Sequence, residues 1–223
     1  PDLAPNHHAH YRQFSGAFGY VAGLTMIIGR GRDAKMVADI ANLKATDHVL
    51  DIGCGPGTAA RLAGRRGSRV TGVDPAQPML RLARLLTRLR RPKGEIDWLC
   101  AGAEHLTIVD DSVTVCWSLA SVHHWPDLAG GISEAKRVLR AGGTFIALEK
   151  RTEPGATGNA SHGWTPDQAN TFATLLGEHG FTAVEVLNRD LGRRPVVAVT
   201  AQTQFPGRLS SEFGGRGQCR AEA

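Results

Sequence analysis

"HVLDIGCGPGT", residues 48–58, decides the fold. Val49, Leu50 and Ile52 are apolar around Asp51, and the opening residues read as a short strand. Gly53, Gly55 and Gly57 then alternate with Cys54 and Pro56, and a helical pattern starts at Thr58. Strand, glycine-rich turn and helix together make a cradle for a ligand. Glycine has no Cβ, so a ligand can come close to the main chain. The first helical turn offers N–H groups that have no partner inside the helix.

The spacing separates two kinds of ligand. A dinucleotide site wants G-x-G-x-x-G, whereas here the third glycine comes one place early and Pro56 occupies the turn. A pyrophosphate gains nothing from Asp51, but a ligand carrying an ammonium group does. Asp74 ends the next apolar run, "RVTGVD", and an acid there can accept two hydrogen bonds from a ribose diol. A cationic, ribose-bearing ligand without phosphate points to S-adenosylmethionine.

Outward from this stretch the chain alternates. "TAARLAGRRG" predicts a helix closed by Gly67. "QPMLRLARLLTRLRR" predicts another, with Leu82, Leu85, Leu86 and Leu89 on one face and Arg81, Arg84, Arg88 and Arg91 largely opposite. "EIDWLC", "SVTVCWSLA" and "TFIALE" are further strands, and "LAGGISEAKRVLRAGG" is a helix with a glycine stop. Strands separated by helices require right-handed crossovers and a parallel sheet covered on both faces. A helix follows from about Pro166, with Thr165 as its cap. The last two strands, "FTAVEVLNRDL" and "PVVAVTAQ", are joined by "GRR", too short for a crossover, so they pair antiparallel. The expected fold is α/β: a Rossmann-like, doubly wound, seven-stranded sheet. It is mostly parallel with an antiparallel C-terminal strand pair, and helices lie on both faces. Residues 1–34 read as an N-terminal helical lid, 35–202 as the ligand-binding domain and 203–223 as a disordered tail.

Bulk properties narrow the class. The chain has 223 residues, 42% apolar and 21% charged, enough for a core without staples. The net charge of +5 comes mostly from arginine; only Lys35, Lys44, Lys93, Lys136 and Lys150 are lysines. No dense basic tract is interleaved with aromatics, so the charge reads as a solvated surface and no nucleic-acid partner is expected. None of the four cysteines has CxxC spacing, which argues against a zinc or redox motif. Cys100 and Cys116 sit in apolar runs and read as buried thiols, and free thiols suit the cytoplasm. No run reaches the length of a membrane span. His7, His8 and His10 cluster near the N-terminus without an acidic or cysteine partner, so no metal site is expected. The oligomeric state is left open between monomer and homodimer.

The motifs resemble those of class I S-adenosylmethionine-dependent methyltransferases, in the small-molecule branch that includes quinone- and sugar-modifying enzymes. "VLDIGCGPG", "VTGVDPAQPML" and "RVLRAGGTFIALE" carry the resemblance, over roughly residues 35–202. It implies that Asp51, Gly53, Gly55 and Gly57 surround the methionine part of the cofactor. Asp74 would hold the ribose, with Pro75 and Met79 near the adenine. "CAGAEHL" stands where the family usually has G-D-A-E-x-L; Ala103 and Glu104 match, but Gly102 replaces the aspartate that receives the adenine amino group. The contact would then pass to Glu104 or to backbone. N-terminal helices fold over the cofactor in this family, so Tyr11, Phe14 and Phe18 are candidates to face the sulfonium.

Methyl transfer is an in-line displacement at a sulfonium, and alignment with exclusion of water is the main requirement. A base is needed only when the acceptor must lose a proton. "SLASVHHWPD" places Ser118, His123, His124 and Trp125 after the fourth strand. A histidine suits the role of base, and His-His pairs in this loop supply it in some sugar O-methyltransferases of the family. His123 is the first candidate and His124 the second; a structural role is the alternative. Glu149 is expected to pair with Lys150 or Arg151. The chain has "SLAS" where amino-methyltransferases carry an NPPY-type tetrapeptide. The short loop 150–166 leaves room for only a modest lid, which favours a small acceptor bearing a hydroxyl. A non-catalytic cofactor-binding protein and a nicotinamide-dependent oxidoreductase are the competing readings.

Overall fold

The computed structural model describes residues 30–156, 162–191 and 194–205. Helix α1 (Gly31–Ile40) is followed by β1 (His48–Ile52), α2 (Thr58–Arg66), β2 (Arg69–Val73), α3 (Gln77–Arg90) and β3 (Ile96–Leu99). Then come β4 (Val113–Leu119), a 3-10 turn (Val122–His124), α4 (Leu128–Val138), β5 (Leu139–Lys150), α5 (Pro166–Glu178), β6 (Thr182–Leu191) and β7 (Arg194–Gln202). The seven strands described form one sheet in the order β3-β2-β1-β4-β5-β7-β6. β1, β2, β3, β4 and β5 run parallel, while β7 is antiparallel to both β5 and β6. This is the architecture the alternating pattern predicts.

Strand order reverses between β1 and β4, which are neighbours although two strands separate them in sequence. In register, Ile52 lies between Val73 of β2 and Ser118 of β4. The carboxyl ends of these three strands therefore share one edge, and a crevice opens where crossovers leave in opposite directions.

Successive residues of a strand face opposite sides of the sheet, and two cores result. Leu50, Cys116 and Phe145 join Ile132, Ala135, Phe172 and Leu176 of α4 and α5 on one side. Val49, Val115, Trp117 and Ile146 join Val37, Ala60 and Ala63 of α1 and α2 on the other. Small residues on α2 let that helix lie close to the strands. Trp117, Trp164, Phe145 and Phe172 are the largest fully buried side chains. α1 packs as part of this body and runs across position 34, where the pattern placed the edge of a lid. Residues 1–29 and 206–223, hence Tyr11, Phe14, Phe18 and nearly all of the expected tail, lie outside the described residues.

Three local expectations are corrected. The helix read through "LRAGG" ends at Val138, and Leu139 is already extended. β5 pairs Leu139 with Val113 but Thr144 with Val115, so residues between them bulge. Thr203 closes the bulge: its Oγ1 donates to Arg140 O and accepts from Gly143 N–H. Gly142, at φ +71°, supplies the left-handed residue there, which in sequence imitates a helix stop. The buried face of α3 carries Met79, Leu80, Leu82 and Ala83, whereas Leu85 and Leu89 are exposed. Cys100 is exposed, in contrast to buried Cys54 and Cys116.

Candidate functional site

Three main-chain hydrogen bonds shape the turn after β1. Gly53 and Cys54 N–H both donate to Val73 O, and Gly57 N–H donates back to Cys54 O. Gly55 sits at φ +53°, and a Cβ built on it would meet nothing within 4 Å. Its bare face is open to the cleft. Gly57, also left-handed, lies against the Trp98 ring, which a Cβ would strike at 2.2 Å. One glycine thus exposes backbone to a ligand, and another brings the turn close to β3.

Two acids flank this turn. Asp51 is buried, and its Oδ2 accepts the Ala60 N–H of α2 at 3.0 Å. A strand carboxylate therefore satisfies an otherwise unpaired donor at the helix start. Burial raises its pKa to about 7, an effect opposed by the Ala60 N–H and reinforced by the charge of Asp74. Asp74 accepts Gly55 N–H at Oδ2 and Ala76 N–H at Oδ1, each at 2.8 Å. Burial raises its pKa as well, and the two N–H donors hold it down. Each of its oxygens keeps a second lone pair for a ligand.

A cleft of about 1050 Å³, solvent included, opens over these groups. Asp51, Gly53, Gly55, Asp74, Pro75, Met79, Ala103 and His124 line it, as does Trp125. Gly57, Glu104, Ser118 and His123 stand behind the lining. Ser118 is fully buried on β4, with no partner for its Oγ among the described residues. Glu104 folds back over Gly102, whose added Cβ would come within 2.5 Å of the Glu104 carboxylate. A side chain at 102 would have to displace that flexible carboxylate, so the glycine lets Glu104 take this position. Arg30 also lines the cleft, with Nη1 donating to Leu119 O at 2.8 Å. Nothing in "IIGRGR" signals that placement; it depends on α1 packing beside β4.

Glu149 is the larger surprise. It is 1% exposed at the end of β5 and belongs to the histidine loop. Its Oε1 accepts the N–H groups of Ser121 and Val122, each at 3.1 Å, at the start of the 3-10 turn. Its Oε2 lies 3.0 Å from His123 Nδ1. The expected pairing with Lys150 or Arg151 gives way to this arrangement because the loop after β4 supplies buried donors at hydrogen-bond distance. The carboxylate is an acceptor, so Nδ1–H donates to it and the His123 lone pair sits on Nε2. Nε2 is buried without a partner among the described residues. The His123 and His124 rings lie 3.9 Å apart between centroids.

Residues 50–147 match the family model described as "Methyltransferase domain". The chain is 37% identical over 109 residues to Methyltransferase GfsG of Streptomyces halstedii, covering 48% of this chain and 39% of that protein. It is 38% identical over 112 residues to 27-O-demethylrifamycin SV methyltransferase of Amycolatopsis mediterranei, covering 48% and 40%. The chain thus spans about two fifths of the length of the curated relatives it matches. Among solved structures, a SAM-dependent methyltransferase from Aquifex aeolicus superposes with a TM-score of 0.67 at 16% identity, covering 82% of this chain and 97% of that one. Over the matched stretch the chain is thus similar to methyltransferase domains, and its fold is that of the S-adenosylmethionine-dependent methyltransferase with which it superposes. Among the described residues, no helix is long and apolar enough to cross a membrane.

Proposed function

We propose that the chain transfers a methyl group from S-adenosylmethionine to a hydroxyl of a small-molecule acceptor. The observation that carries this reading is the pair of buried acids, Asp51 and Asp74, on either side of the open main chain at Gly55. Two carboxylates oppose a pyrophosphate and suit a cationic nucleoside. When bound, S-adenosylmethionine supplies an activated methyl on a sulfonium leaving group. Asp51 is placed to compensate the ammonium and Asp74 to accept the ribose hydroxyls. Pro75 and Met79 offer an apolar surface to the base. Gly102 leaves the adenine amino group to Glu104, whose carboxylate lies beside it.

The acceptor side is the histidine loop. His124 lines the cleft, and His123 stands behind it with its Nδ1 held by Glu149. In this reading one of the two imidazoles takes the hydroxyl proton during in-line displacement, and the other orients it. The name of one relative, 27-O-demethylrifamycin SV methyltransferase, agrees with transfer to oxygen. The remaining work is alignment and exclusion of water.

Calorimetry with S-adenosylmethionine and with NAD, followed by a panel of hydroxyl metabolites scored for S-adenosylhomocysteine, tests the reading. Tight binding of the sulfonium nucleoside alone and turnover with at least one hydroxyl acceptor are expected. Preference for NAD would overturn the cofactor assignment. Binding without turnover on any acceptor would leave a non-catalytic cofactor-binding protein.

A further inference from the structure

The histidine loop has a third member that no motif pointed to. His162 comes from the segment after β5, and its ring centroid lies 5.9 Å from that of His123 and 6.2 Å from that of His124. One ring nitrogen from each of the three lies within 4.8 Å of the others. We propose that His123, His124 and His162 form a binding site for one divalent transition-metal ion of the zinc class, at the edge of the cleft.

Three features argue for a ligand set over accidental crowding. His123 Nδ1 is committed to Glu149 while its Nε2 is buried without a partner among the described residues. A metal-binding histidine characteristically shows this arrangement: one nitrogen held by a carboxylate, the other presenting a lone pair. The Glu149 carboxylate is itself fixed by two main-chain N–H groups, so the His123 ring is oriented before any ion arrives. The donors are all imidazole, which suits zinc, copper, nickel and iron and disfavours magnesium and calcium, which take oxygen ligands.

The fit requires modest movement. A tetrahedral ion with Zn–N near 2.0–2.1 Å keeps its nitrogens about 3.4 Å apart. The present separations then close by at most about 1.4 Å, within reach of side-chain rotation on a short turn and an adjoining loop. Three protein ligands leave a fourth position for water or an acceptor oxygen, as in zinc sites that activate a bound oxygen. The ion and the histidine base are alternatives, since both use the same nitrogen lone pairs. The site rests on the imidazole geometry, and it is independent of the cofactor assignment at Asp51 and Asp74 though not of the histidine-base assignment.

The full chain, without cofactor or acceptor, is titrated with Co²⁺ by visible absorption and with Zn²⁺ by calorimetry. One equivalent with a tetrahedral cobalt spectrum is expected. His162→Ala, which leaves the cleft lining intact, should weaken affinity at least 10-fold, and His124→Ala likewise, with circular dichroism verifying the fold. Glu149→Gln should cost about 10–100-fold. His7, His8 and His10 are a competing source of imidazole, so the H7A/H8A/H10A chain should bind as the parent does. Loss of the ion in that triple variant, or unchanged affinity in His162→Ala, would overturn the site. Neither result bears on S-adenosylmethionine binding, which is measured separately.

Discussion

Asp51 is a carboxyl group that burial has brought to a pKa of about 7. A bound ammonium or sulfonium favours its charged form, so binding should pull that pKa down and release a proton. Affinity for S-adenosylmethionine should therefore rise with pH up to about 7 and level off above it. Calorimetry in buffers of different ionisation enthalpy measures the released proton, and Asp51→Asn should abolish both the release and the slope. If Asp74 holds the ribose as proposed, Asp74→Ala should remove most cofactor affinity, at least 10-fold. His123→Ala should instead reduce turnover by roughly 10²–10⁴-fold with affinity nearly unchanged. Equal loss of affinity in both variants would refute this division of roles. Glu149 is placed to act through His123, so Glu149→Gln should lower kcat and leave the cofactor Kd in place.

At the scale of elements, two devices are open to test. α5 begins with a reciprocal cap: Gln168 N–H donates to the Thr165 hydroxyl, and Thr165 N–H donates to the Gln168 side chain. Thr165→Ala should cost about 1 kcal/mol in urea denaturation. The bulge at the start of β5 is a second device. Gly142 holds a left-handed conformation and touches the Phe205 ring. Gly142→Val should destabilise by more than the roughly 1–2 kcal/mol that the left-handed backbone alone costs, because the β-branched side chain also meets that ring. A midpoint equal to the parent's would mean the bulge is not specified by this residue. Thr165 and Pro166 announce their helix in sequence. The bulge does not announce itself, because "RAGG" has the composition of a helix stop and only pairing with Thr203 shows otherwise.

For the whole molecule, the raised acid couples folding to pH. Unfolded, Asp51 ionises near its ordinary value of 3.8; folded, it holds its proton to about 7. Between those values the folded chain binds more protons than the unfolded one, so stability falls as pH rises and then levels off. The ligand-free chain should melt at a higher temperature at pH 5 than at pH 8 by more than Asp51→Asn does, while saturating S-adenosylmethionine should narrow the difference by stabilising the ionised form. Differential scanning fluorimetry on both chains reads this directly. A pH dependence identical in the two would show that Asp51 is not the coupled group.

Local sequence determined the order and type of the elements, the antiparallel ending and the acid-glycine cradle. Each of these rests on periodicity or on residues within a few positions of one another: alternating apolar runs, the short link at "GRR", the glycines after Asp51. The tertiary structure alone decided what those elements bring together. It turned Glu149 from its chain neighbours to His123, a residue 26 positions away, and carried His162 to the same corner. It also set Glu104 over Gly102, and the exposed and buried leucines of α3. Burial and long-range donors govern these placements, and neither is a property of a window of sequence.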